Sequence, residues 1–123
     1  MEQLEIFDNF KTNEFEQLSV ENSFTYWYAS DLAELLGYKN IRSLTNAINK
    51  AVTVLTNLNI AVFDNIINIE RNIDGNKTTD YKLSRFACYL ITMNADVKKQ
   101  AVAEAQAYFA TLAGETILCL LFL

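Results

Sequence analysis

Between residues 66 and 83 the apolar positions recur at every second residue. Ile67, Ile69 and Ile73 alternate with Asn68, Glu70 and Asn72, and Arg71 shares the isoleucine parity. That period belongs to a strand with one sheltered face. Asp74-Gly75 interrupts it with a strong turn signal. Thr79, Tyr81 and Leu83 then return on one face, with Asp80 and Lys82 on the other. The spacing predicts a β-hairpin.

The period then changes to helical. Ser84 is a good N-cap for a helix whose stripe is Phe86, Ala87, Leu90 and Ile91, closed by Asn94. Asp96 is placed to cap a second helix with Val97, Ala101, Ala105, Tyr108, Phe109 and Leu112 on its apolar face. Lys98 and Lys99 would then occupy the first turn of that helix, where cations oppose the helix dipole unless an anion meets them.

Upstream, FTYWY (24–28) is aromatic enough for a strand. Ser30 can cap a short helix, DLAELLGY, with Leu32, Leu35 and Leu36 inward and Gly37 as its stop. Asn40 can cap the next, on the spacing of Ile41, Leu44, Ile48, Ala51, Val52 and Leu55. Its other face carries Arg42, Ser43, Asn46, Asn49 and Lys50. The two helices resemble a helix-turn-helix in outline, as any consecutive amphipathic pair does. Residues 1–23 read as a weakly structured lead-in, and each glycine (Gly37, Gly75, Gly114) reads as an element boundary. The expected class is α+β: short helices packed on a small antiparallel sheet that contains the hairpin.

Size and composition narrow the function classes. A chain of 123 residues, half apolar and one-fifth charged, is expected to form one domain with its own core. The opening MEQLEIFDNF is acidic and does not read as a secretory signal, and the closing ILCLLFL is shorter than the ~20 residues of a membrane span. The expected setting is the cytoplasm, without membrane association. No histidine occurs, and the two cysteines, Cys88 and Cys119, form no CxxC. Nucleophilic triads and most transition-metal sites are thereby excluded in their usual forms. Nor is a carboxylate cluster placed where two helices would converge on a catalytic metal. The expectation is a protein that is not an enzyme and carries no cofactor or metal.

Charge is unevenly distributed. The net charge is −5, yet residues 1–36 carry −7, residues 37–99 carry +4 and the remainder −2. Phosphate contacts respond to local charge, so an acidic total does not exclude nucleic acid. Candidate phosphate contacts are Lys39, Arg42, Lys50, Lys77, Lys82, Arg85, Lys98 and Lys99. Arg71 belongs with the basic and amide set of the hairpin. Asn40, Asn46 and Asn76 offer amides to base edges or phosphate oxygens.

The blocks YKLSRFACYLITMN and AVAEAQAYFA, with the acidic–basic turn between them, strongly resemble the DNA-damage-inducible protein D family of bacteria. The N-terminal half of that family is similar to the BRO-type N-terminal domain of phage antirepressors and large DNA viruses. The likeness extends upstream through TYWYASDLAELLGYKN and NAINKA, over residues 24–112. It implies an α+β fold that binds DNA and acts in the SOS response to DNA damage or in mobile-element regulation, without being an enzyme. A recombinase that coats single-stranded DNA is an implied partner. Ile41 and Leu44 stand where the family often has an aromatic residue, and the apolar tail 113–123 looks unlike the family.

Two functions remain in play at this level. One is a DNA-binding regulatory domain, for single- or double-stranded DNA. The other is a protein-interaction module acting on a recombinase or repressor, with Glu2, Glu5, Asp8, Glu14, Glu16 and Glu21 along one exposed face. The apolar tail would allow a homodimer in either case.

Overall fold

The alternating and helical segments assemble around a hairpin that is longer than the sheet it belongs to. A computed structural model describes residues 12–122, with side chains described from Glu14 to Gly114. The chain runs α1 (Thr12–Gln17), β1 (Val20–Asn22), β2 (Phe24–Tyr28), α2 (Ala29–Leu35) and α3 (Ile41–Asn57). A 3-10 turn (Val62–Asp64) leads to β3 (Ile66–Ile73), β4 (Asn76–Leu83), α4 (Arg85–Met93) and α5 (Gln100–Phe122). The strands form one antiparallel sheet in the order β1-β2-β4-β3. The class is α+β, as expected.

The β3–β4 hairpin is paired from Ile66 opposite Leu83 to Ile73 opposite Asn76. Asp74 (φ 54°) and Gly75 (φ 82°) are both left-handed, the type I′ arrangement whose twist matches antiparallel strands. By contrast β2 pairs with β4 only at Trp27–Leu83 and Tyr28–Lys82. Six residues of β4, Asn76 to Tyr81, therefore have β3 as their only strand partner, as a two-stranded arm.

Trp27, Leu83 and Ile66 face the helices and are buried with Leu32, Leu36, Leu44, Leu55, Ile91 and Val102. The lead-in is more ordered than the sequence suggested. Phe15 of α1 stacks on Trp27 at 4.7 Å between ring centroids and meets Phe109 edge-on at 5.0 Å. The Trp27 indole N–H donates to the Phe15 carbonyl at 2.8 Å. An acidic segment is docked through a buried aromatic ring, which periodicity does not register. Residues 1–11 lie outside the described residues.

Helix starts and stops follow local chemistry with three corrections. Asn40 and Ser84 cap α3 and α4, accepting from the Ser43 and Ala87 amides at 3.0 Å each. Ser30 does not cap α2. The helix begins at Ala29, and the Ser30 N–H is taken by the Asp80 carboxylate at 3.1 Å, a cap supplied from β4. Asp80 is consequently not on a solvated face but 0% exposed.

Lys98 and Lys99 precede α5, which starts at Gln100. Asp96 forms a local turn by accepting from the Lys98 amide at 3.0 Å. Val97 therefore sits outside the helix and is 60% exposed, while Val102 takes the buried position. Phe86, 45% exposed, lies at the margin of a stripe centred on Ala87, Cys88 and Ile91. Gly114 is interior to α5, whose backbone continues through Phe122. A single exposed glycine costs about 1 kcal/mol there, too little to end a long helix.

Candidate nucleic-acid interface

Two turns far apart in sequence are locked together. Gly37 ends α2 in the left-handed region (φ +83°), and a Cβ there would lie 3.6 Å from the Ala101 Cβ, so α5 packs close over the turn. The Tyr38 hydroxyl accepts from the Asp96 amide at 2.9 Å. Lys99 Nζ sits 5.0 Å above the Tyr38 ring and donates to the Gly37 carbonyl at 3.4 Å. These bonds bring Lys39, Lys98 and Lys99 to one region. Lys39 and Lys98 are exposed and form no ion pair among the described residues.

Beside this turn, a cleft of about 600 Å³ separates the start of α3 from the hairpin arm. Asn40, Arg42 and Thr45 line one side; Lys77, Thr79 and Tyr81 line the other. Neither Arg42 nor Lys77 has an acidic partner among the described residues. The N-terminal end of a 17-residue helix adds a partial positive charge to the same space. Asn46 and Lys50 continue the exposed line of Arg42 along α3 at four-residue intervals. Asn76 is exposed next to Lys77 at the end of the arm.

Three candidate cations are engaged elsewhere. Arg71 Nη1 bonds Asp80 Oδ2 at 3.0 Å and Ser30 Oγ at 3.2 Å, and the guanidinium lies 3.7 Å over the Tyr28 ring. Arg85 forms a two-pronged pair with Glu16 at 2.6 and 3.0 Å, and its guanidinium lies 4.9 Å over Trp27. Hydrogen bonding from Arg85 holds the Glu16 carboxyl below its ordinary value, against an opposing contribution from burial. The same bond raises Arg85 further into the protonated range. Burial pushes the Tyr108 hydroxyl up, and its hydrogen bond to Glu16 at 2.9 Å adds to the effect. Half-buried Lys82 lies 4.7 Å over the Tyr26 ring. Sequence alone assigns these residues by charge; their partners come from sheet register and from α1.

The cleft also contains residues that charge did not single out. Thr45 follows Ile41 by one helical turn, and Thr79 and Tyr81 occupy alternate positions of β4. A second cleft, about 380 Å³, is acidic: Glu14, Gln17 and Leu18 face Asp31, Glu34 and Leu35. Burial raises the Asp31 carboxyl. The i, i+3 spacing of Asp31 and Glu34 puts both on one face of α2, and α1 supplies their partner residues across the cleft. Cys88 is buried in the core, where burial pushes its thiol up, away from the reactive thiolate. Among the described residues no three His, Cys, Asp or Glu side chains could hold a metal ion, and no helix is long and apolar enough to cross a membrane.

Comparison with known proteins agrees with this architecture. DNA damage-inducible protein D of Escherichia coli (strain K12) is 31% identical over 103 residues. The alignment covers 78% of this chain but 38% of the relative, so the chain spans well under half of that protein's length. No solved structure matches. The profile of the BRO family, N-terminal domain, matches residues 15–110, from the docked Phe15 to the last buried turn of α5, and the chain belongs to that family.

Proposed function

We propose that the chain is a DNA-binding regulatory domain of a DNA-damage-response or mobile-element protein, acting by occupancy and not by catalysis. The observation that carries this reading is the convergence of Asn40, Arg42 and Lys77 on one cleft, with Lys39, Lys98 and Lys99 nearby. In a chain of net charge −5, cations without acidic partners gathered in one region point to an anionic ligand. The name of the E. coli relative supports a DNA-linked role. Arg42 and Lys77 would grip the phosphates bordering the cleft, and Lys39, Lys50 and Lys98 would extend the contact. A bacterial cytoplasmic setting, with a recombinase or repressor as protein partner and homodimer formation, belongs to the same reading.

Titration of fluorescent single- and double-stranded oligonucleotides at several salt concentrations tests it. Five phosphate contacts give log affinity a slope of about −4 to −5 against log salt for a duplex. Absence of salt-sensitive binding to either form would overturn the reading. The acidic cleft of Glu14, Asp31 and Glu34 favours the second reading, a module that receives a basic protein segment. In that case Glu34→Lys, and not Arg42→Ala, abolishes partner binding.

A further inference from the structure

The β3–β4 arm has two chemically different faces. Register places Asn68 opposite Tyr81, Glu70 opposite Thr79 and Asn72 opposite Lys77 on one face, of which Lys77, Thr79 and Tyr81 line the cleft, with Ile73 and Thr78 of the other parity at its edge. Asn68, Glu70, Asn72, Lys77 and Thr79 are exposed, and that face of the arm carries no aliphatic side chain. The other face holds Ile67, Ile69 and Ile73, half-buried, together with the Arg71–Asp80 pair. Asp80 also accepts from the Ser30 N–H and hydroxyl of α2, so the base of the arm is bonded to the body. A turn with two left-handed residues closes the tip tightly. The result is a stiff ribbon bearing amides and a hydroxyl.

We propose that this arm enters the major groove of double-stranded DNA. Asn72 and Thr79 meet the base edges, and one flanking backbone lies in the cleft against Arg42 and Lys77. The inference rests on the DNA-binding reading above and assigns the form of DNA and the reading element. Two strands about 4.8 Å apart, with side chains, fit a major groove about 12 Å wide and not a minor groove about 6 Å wide. The four residues of β4 beyond the buried Asp80, Asn76 to Thr79, reach about 13 Å. Asparagine pairs with adenine through two hydrogen bonds, and threonine with either a polar edge or the thymine methyl. The cations at Lys77, at α3 and at the two turns supply the non-specific attraction.

The experiment is selection of duplexes from a randomised library with the full chain, followed by affinity ratios for selected over random duplex. A consensus should emerge, and guanine N7 methylation within it, which blocks the major groove, should abolish the preference. Asn72→Ala and Thr79→Ala, both at exposed positions, should each lower the ratio about tenfold with an unchanged melting temperature. Arg42→Ala should weaken selected and random duplexes alike. The inference is overturned if no consensus emerges, if both arm variants keep the wild-type ratio, or if a single strand outcompetes the selected duplex. Binding to no oligonucleotide at all overturns the DNA-binding reading itself.

Discussion

Arg71 Nη1 and Asp80 Oδ2 lie 3.0 Å apart across the hairpin, two register positions from direct opposition, with the Asp80 side chain wholly out of solvent. The carboxylate also accepts from Ser30 Oγ at 2.6 Å and from the Tyr81 amide at 2.7 Å. Removing one partner of such a pair leaves a buried charge or a buried cavity without its bonds. Asp80→Ala is therefore expected to destabilise the protein by about 2–4 kcal/mol, read as a lowered urea midpoint. Arg71→Ala leaves the buried Asp80 carboxylate without its cation and should lower the midpoint as well. A wild-type midpoint for Asp80→Ala would refute the idea that the pair anchors the arm.

The sequence shows the hairpin, its turn and two of the caps because local chemistry sets them: alternation, Asp74-Gly75, Asn40 and Ser84. It hides what depends on register between distant strands. Asp80 reads as a solvated residue by parity, yet β2 ends two residues early and α2 begins against it. The same limit applies to the site. Charge picks out Arg42 and Lys77, which the fold leaves exposed on a common cleft, and equally Arg71 and Arg85, which it binds internally. No local signal distinguishes the two kinds of cation, because the distinction lies in residues tens of positions away.

Glu16 makes stability depend on acid. Its carboxyl is held below the ordinary value of 4.5, first by the hydrogen bond from Arg85. The folded state thus binds the proton less readily than the unfolded state. The stabilisation is present above pH ~4.5 and is lost as pH falls through the lower folded value. Glu16→Gln should lower stability at neutral pH by about 1 kcal/mol, since the pair is partly exposed and screened. The difference from wild type should shrink on acidification. Melting temperatures of both proteins across this range check the sign; a gap that widens toward acid would contradict it.

Asn40 is both a cap and a cleft residue, and two substitutions separate the roles. Asn40→Ala removes the acceptor of the Ser43 amide and should cost about 1 kcal/mol of stability. Asn40→Asp keeps a capping oxygen and should leave stability within a few tenths of a kcal/mol. It places a negative charge in the cleft, so DNA affinity should fall while the melting temperature holds. If Asn40→Asp binds DNA as well as wild type, phosphate does not approach this end of α3.

The salt dependence of DNA binding can tell the exposed cations from the engaged ones. Each phosphate contact contributes about 0.9 to the slope of log affinity against log salt on a duplex. Lys39→Ala, Arg42→Ala and Lys77→Ala, which break no ion pair among the described residues, should each reduce the slope by about that amount. Their melting temperatures should stay near wild type. Arg85→Ala breaks its pair with Glu16 and its contact over Trp27, so it should lower stability and leave the slope unchanged. Lys82→Ala, whose ammonium lies over the Tyr26 ring, should likewise keep the slope. The opposite pattern, with slope lost at Arg85 and Lys82 and kept at Arg42 and Lys77, would move the interface away from the cleft and onto the junction of β4 and α4.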